Sequence, residues 1–489
     1  MKTKRMLSRG GVAALVALLL GAAAPASGAD VWPRTDFDDA ERVALAVRVL
    51  EHEAPSEQAH AIRTLEGHRA EAVPALIAAA RERGPANPHL LYNILGALRQ
   101  IGDPAATPLA AKALAEGGRD YPLRRRAAQT IGACGGPKAK EALLAALPTN
   151  YIPLAIDVIN ALVALKATDA GPAILARGKT MPEIRPIVLH VLSTSLAGSV
   201  APDDLAAIVP EDAPVALRTT YLEARGRLGD ESAWAKLEAM LAAADSPELR
   251  IDVLGRLVAA GRPAGRREVE KLVGSDDPRL RAAALDLALG VPGLAPERIV
   301  ESLGPREDRL AVFGRLKKIG PRMGEKTIRD AVTARFLDPE ENPSVRVVAA
   351  NALAESGSPE AWAPLLARLE AGGDSGDADS LTHSIGCALA RAEGAVPRLI
   401  ELVASDDPGT ARGALAGLVR AGGRPAAAAA RGWLGRPERD ARLEAAGVLG
   451  LIGTAADLGP MKAAWERERD PDVRRALAAA AERIARSGR

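Results

Sequence analysis

One motif returns along almost the whole chain, and its period constrains the fold more than any other feature. An acidic residue, Ser or Asn precedes a Pro, an aliphatic–Arg step follows, and an Ala/Leu-rich run ends near Gly. "DSPELRIDVLGRLVAAG", "DDPRLRAAALDLALG", "ENPSVRVVAANALAESG" and "RDPDVRRALAAAAERIA" superpose in this way. Pro122, Pro153, Pro214, Pro247 and Pro278 fall at spacings of 31, 61, 33 and 31, the double step spanning one degenerate unit. A period of about 32 residues belongs to stacked repeats, in which each unit buries its apolar face against its neighbours.

Each part of the motif has a helical purpose. The leading Asp, Ser or Asn can accept the free amides of a first turn, where Pro is tolerated because no amide hydrogen is needed. Leu280, Ala284 and Leu287 recur at the spacing of one helical stripe, and the closing Gly can take the left-handed conformation that ends a helix. A second apolar segment follows, such as that from Pro359, with Trp362, Leu365, Leu366 and Leu369 again in helical phase. Two helices in so short a unit must form an antiparallel hairpin. The composition agrees: 48% of residues are hydrophobic but only 2% aromatic, so small side chains must let many helices approach closely. The expectation is an all-α chain, an α-solenoid (superhelix) of about fourteen antiparallel helix pairs. It would run through residues 30–489 as a single array, with a loop at 371–380.

The Asp-Pro, Val-Arg and Ala-Leu-Gly pattern resembles HEAT repeats, in the short variant first associated with phycobilisome lyases. The resemblance covers about residues 37–486, is clearest at 276–289, 342–357 and 470–485, fades over 150–211 and stretches over 320–343. It implies that helices such as 343–355 line a concave face and helices such as 359–370 a convex one. It also implies a stacked Asp–Arg ladder of Asp245 with Arg250, Asp276 with Arg281, Asp406 with Arg412 and Asp470 with Arg474. Arg346 takes the Arg position after Asn342, whereas Thr382 replaces it after Asp379. These are structural positions, joining neighbouring units by charge-assisted hydrogen bonds.

The N-terminus reads as an export signal. Lys2, Lys4, Arg5 and Arg9 precede the apolar run Val12 to Leu20, and "APASGAD" offers small residues for cleavage after Ala29 or Ala26. The apolar stretch of fourteen residues falls short of the roughly twenty a spanning helix needs, so residues 1–29 are expected to be removed. The product would be periplasmic or extracellular, with no stable membrane insertion. Of 64 basic and 62 acidic side chains, four basic ones lie in the signal, leaving a net charge of −2. That balance gives no electrostatic footprint for nucleic acid. Cys134 and Cys387 lie many repeats apart, which argues against a bridge within one chain.

Candidate chemistry is sparse. His52, His60 and His68 stand eight residues apart, about 12 Å along a helix and too far to share one ion, with Gly67 and Pro55 breaking the segment. His52–Glu53 is the sole His-Glu pair, where HEAT-like deoxyhypusine hydroxylases carry several; that activity does not carry over. His383 and Cys387 share a helical face at i, i+4, a spacing that could serve a metal or an activated thiol, but no third group lies nearby in sequence and helix packing with an incidental thiol explains the pair more simply. Asp374, Asp377 and Asp379 miss the order of a calcium loop. Arg315, Lys317, Lys318, Arg322, Lys326 and Arg329, with Arg309 before them, form the densest basic run and a candidate docking patch for an acidic partner or anionic lipid headgroups, although a solvated face with Glu325 and Asp330 interspersed explains it more simply. No phosphate-binding glycine loop, nucleophile elbow, H-E-x-x-H or C-x-x-C occurs. The expectation is a non-catalytic scaffold for a protein partner, using no cofactor or metal. The alternative is a lyase-like or small-ligand-binding protein that uses the concave groove, with Cys387 and His383 as its reactive pair.

Overall fold

Helices begin where the caps stand. Asn87, Asp120, Ser246, Asp277, Asn342, Ser358 and Asp407 each accept a main-chain N–H of the first turn, with Pro at the first or second helical position. The cap is therefore Ser246, Asp277 or Asp407, leaving Asp245, Asp276 and Asp406 one residue outside the helix. At the other end, Gly102 closes its helix at φ 69°, a left-handed conformation that a side chain would strain.

The structure is a computed structural model describing residues 32–487, apart from 52–54, 290, 292–295, 298–299, 301–313, 373–377 and 423. The expected export signal, His52, Arg309, Asp374 and Asp377 lie outside the described residues. Contacts group the chain into two compact units. The N-terminal unit spans Asp36–Ala260; the C-terminal unit is Gly261–Ala485 together with the stretch ending at Thr35.

The N-terminal unit opens with α1 (Asp39–Val49), α2 (Pro55–Gly67) and α3 (Arg69–Arg83). Pairs follow as α4 (Pro88–Ile101) with α5 (Thr107–Glu116), α6 (Tyr121–Cys134) with α7 (Ala139–Ala146), and α8 (Ile152–Ala164) with α9 (Gly171–Thr180). α10 (Arg185–Ser193), α11 (Val215–Arg227), α12 (Glu231–Ala242) and α13 (Pro247–Ala259) complete it. The C-terminal unit holds α14 (Pro263–Leu272), α15 (Pro278–Ala288), α16 (Lys326–Leu337), α17 (Pro343–Glu355) and α18 (Pro359–Glu370). It continues through α19 (Ala378–Leu389), α20 (Val396–Leu402), α21 (Pro408–Ala421), α22 (Arg424–Trp433), α23 (Arg439–Ile452), α24 (Leu458–Arg467) and α25 (Pro471–Ser487). Among the described residues there is no strand. No helix there is long and apolar enough to cross a membrane.

The fold is an all-α stack of helix pairs. α4, α6 and α8 lie side by side, and each pair packs mainly on its sequence neighbours. Leu95, Leu98, Ile131, Leu143, Leu154, Ile159, Leu162 and Val188 are buried in the N-terminal unit, each contributing about 1.5–3 kcal/mol on burial. The fading of the motif over 150–211 has a structural counterpart. Tyr151 precedes α8 without a side-chain cap, and the second helix of the α10 pair is reduced to the 3-10 stretch Pro202–Ile208.

Candidate functional site

The arginines of the motif brace the joint between consecutive helices. Arg124 donates to the Leu114 carbonyl at 3.0 Å, Arg250 to Ala244 at 3.3 Å, Arg281 to Ser275 at 2.6 Å and Arg346 to Phe336 at 2.9 Å. Leu114 and Phe336 lie in the last turn of the preceding helix and Ala244 and Ser275 just beyond it, where carbonyls lack helical partners and a cation is favourable. Arg346 is half-buried, and desolvation together with nearby Arg368 draws its pKa below the usual arginine value. The ladder implied by the HEAT resemblance is thus not formed as paired: among the described residues no ion pair joins Asp245 to Arg250, Asp276 to Arg281, Asp406 to Arg412 or Asp470 to Arg474. Arg412 instead meets Glu444 at 3.5 Å, and Arg474 stacks over Trp465 at 4.3 Å.

Links between repeats do exist, through other residues. Arg256 pairs with Glu223 at 2.6 Å, Arg315 with Asp286 at 2.8 Å, Arg398 with Glu370 at 2.8 Å and Arg439 with Asp470 at 2.8 Å. Each joins residues about one period apart, so the side chains form rungs along the stack. Near the C-terminus Arg442 holds Glu468 at 2.7 Å, and Glu468 also accepts the amides of Arg469 and Asp470 at 2.9 Å. Burial alone would raise the Glu468 pKa, but the Arg442 bond and the two amides outweigh it and the net direction is down. A folded-state pKa below the unfolded one gives stability that is present above about pH 4.3. That stability is lost as pH falls through the lowered value. Protection factors of the amides in α23 to α25 are therefore expected to fall on acidification below that point, and Arg442→Gln to flatten the dependence. An unchanged acid profile in Arg442→Gln would contradict this assignment.

The sequence-derived candidates separate in space. Arg315 is buried on Asp286, Arg322 is bound to Glu325, Lys326 pairs with Asp330 at 2.6 Å, and Arg329 donates to the Met323 and Gly324 carbonyls at 3.4 Å. Lys317 and Lys318 are exposed. Among the described residues most of this run is engaged, Arg315 with the neighbouring repeat and Arg322, Lys326 and Arg329 within their own. His60 lies within α2, and His68 stands at the start of α3, 3.7 Å from Asp39. Among the described residues no three His, Cys, Asp or Glu side chains gather as a metal site.

His383 and Cys387 do meet, Nε2 to Sγ at 3.7 Å. Desolvation lowers the His383 pKa and raises that of Cys387 despite Arg420 and Arg391, so at neutral pH the pair is imidazole and thiol. A thiol in this state is a poor nucleophile. Burial likewise pushes Cys134 up to about 11, and its Sγ donates to the Leu98 carbonyl at 3.4 Å. A chromogenic thiol reagent at pH 7 is expected to label Cys387 slowly and Cys134 only after unfolding. Rapid labelling of Cys387 would indicate an activated thiol instead.

A different constellation, not singled out by any sequence motif, lies across α4, α6 and α8. Arg126 donates to the Tyr92 hydroxyl at 2.6 Å, its guanidinium carbon 4.4 Å from the ring centroid. Arg99 donates to Gln129 at 3.1 Å, Gln129 donates to Asp157 at 3.1 Å, and Arg125 pairs with the same carboxylate. Tyr121 and Tyr151 stack at 4.1 Å between centroids. Ile152, Pro153 and Ile156 are half-buried beside them, and Asn160 is exposed. All four tyrosines of the chain fall in the N-terminal unit, three of them here at spacings of 29 and 30. That regularity is the signal a sequence search could have used.

No family model matches the chain, and no curated protein matches it in sequence. Solved structures resemble it distantly. A chain of the full-length AP-3 complex in an intermediate open conformation is 11% identical over 91% of each chain, with a TM-score of 0.36. The CpcE–CpcF phycocyanin lyase complex of Nostoc sp. PCC7120 is 19% identical over 61% of this chain and 99% of its own, TM-score 0.24. Human deoxyhypusine hydroxylase is 19% identical over 60% of this chain and 97% of its own, TM-score 0.22. Identities this low concern helical architecture alone and assign no activity.

Proposed function

We propose that the chain is an exported, non-catalytic protein–protein interaction scaffold built on short HEAT-type repeats. One observation carries this reading: polar side chains of successive helix pairs are spent on one another along the stack. Arg256 with Glu223, Arg398 with Glu370 and Arg439 with Asp470 are the plainest instances. Such an arrangement suits a long recognition surface more than a reactive centre. Cross-linking in the native cell envelope followed by mass spectrometry tests it. A recurrent protein partner is the expected result, and recovery of none would count against the scaffold. The N-terminal residue of the purified product tests export, Asp30 being expected.

The second reading, a lyase-like or ligand-holding protein, rests on the approach of His383 to Cys387 at 3.7 Å. The protonated state of that thiol weighs against it. Loss of a ligand on Cys387→Ser would restore it.

A further inference from the structure

Within the N-terminal unit, the row α4, α6 and α8 is charged far from evenly. It carries Arg99, Arg124, Arg125 and Arg126 against a single acid, Asp157, in a chain whose 64 basic and 62 acidic residues nearly cancel. Asp157 is only 12% exposed and already accepts from both Arg125 and Gln129, so it offers nothing further to solvent. Arg124 is turned to the Leu114 carbonyl. Arg99 is exposed and engages only the neutral Gln129, and Arg126 lies over Tyr92 with its Nε lacking a partner. Next to these cations, α8 presents the half-buried Ile152 and Ile156.

We propose that this row is the docking surface for an extended acidic peptide segment of the partner protein, one that also carries an aliphatic or aromatic residue. The proposal rests on the scaffold reading and names its partner chemistry. Charge complementarity selects the sign: Arg99 is exposed and Arg126 half-buried, no exposed acid lies within the same three helices, and Asp120 at the start of α6 is engaged as its cap. Geometry selects the form. Neighbouring helices pack about 10 Å apart, and a peptide in the extended polyproline-II form advances about 3.1 Å per residue with three residues per turn, so that residues three apart face the same side. A peptide crossing the row therefore meets a new helix about every third residue. Acidic residues at i and i+3 face Arg99 and Arg126, and an apolar residue beyond them reaches Ile152 and Ile156.

The experiment titrates residues 30–489 into a fluorescein-labelled synthetic peptide with Glu at every third position and Leu and Ser between, read by anisotropy. A control peptide has Lys in place of each Glu. Binding of the Glu peptide, weakened by added salt and absent for the Lys peptide, is expected. Arg99→Glu with Arg126→Glu should weaken it at least about tenfold, since like charges then face each other. Arg99→Lys with Arg126→Lys should retain most of it, which keeps the test informative if the double Glu variant unfolds. Equal binding of both peptides, no binding by the unmodified chain, or an unaltered affinity in the double Glu variant would each overturn the proposal. So would binding of a sulfated oligosaccharide in place of the peptide. The two readings fail differently. A cell-envelope partner captured equally by the unmodified chain and the double Glu variant leaves the scaffold standing and removes this surface. Capture of no partner by either removes the scaffold itself.

Discussion

Gly386→Ala is expected to destabilise the C-terminal unit by about 2–3 kcal/mol, in the upper part of the range for overpacking. A Cβ there would lie 1.8 Å from the Gly413 carbonyl oxygen, and one on Gly417 would lie 2.6 Å from the Gly386 oxygen. Helices α19 and α21 thus cross backbone on backbone, with no flexible side chain to give way. The better helix propensity of Ala returns about 1 kcal/mol, too little to compensate. Gly447 in α23 makes the control, because a Cβ there has nothing within 4 Å. Gly447→Ala should be neutral or stabilising by about 0.5–1 kcal/mol. Urea midpoints of the two variants should move in opposite directions at similar slopes. Midpoints that fall together would mean that α19 and α21 are not in close contact.

The second large effect is at Trp465. Its ring is 9% exposed, meets Trp32 edge-on at 5.8 Å between centroids, and lies under the Arg474 guanidinium at 4.3 Å. Trp465→Ala removes the whole packed ring and is expected to cost about 3–5 kcal/mol. Trp32→Ala forfeits the ring pair, about 0.5–1.5 kcal/mol beyond the area lost. Hydrogen exchange in α24 and α25 should speed up in both variants. A double-mutant cycle should show the two substitutions coupled. Strict additivity would place Trp32 away from Trp465.

These two sites show how far the chain could be read directly. Four of the five tryptophans, Trp234, Trp362, Trp433 and Trp465, fall on second helices of their pairs, a phase visible in the sequence once the period is known. Trp32 lies outside that phase, in a stretch that reads merely as the lead into the first helix, and nothing local indicates its partner 433 residues later. Likewise Gly386 and Gly413 look like any other small residues of an Ala/Gly-rich run. Only the crossing of α19 and α21 distinguishes them from Gly447.

The candidate surface divides in the same manner. Its arginines and tyrosines are visible as residues, but the basic run at 315–329 is denser in sequence, and proximity in sequence is not proximity in space. In a helical repeat, neighbours along the chain point to different sides, while residues about one period apart stand next to each other. Arg126 with Tyr92 and Arg125 with Asp157 are such pairs; Arg315 and Arg322 point to different partners.

The sequence by itself determined everything that is decided within a few residues: the cap before each Pro, the helical stripe, the stop at Gly, and therefore an all-α stack of helix pairs. Even the weakness at 150–211 was legible, because a missing cap is a local fact. Tertiary structure alone decided which arginine meets which acid. Asp276 with Arg281 satisfied the motif, yet Arg281 turned to the Ser275 carbonyl and the rungs went to Arg256 with Glu223 and Arg439 with Asp470. The reason is geometric. A long side chain pairs according to the rotation and offset between adjacent helices, and those follow from the summed packing of many small residues rather than from any motif.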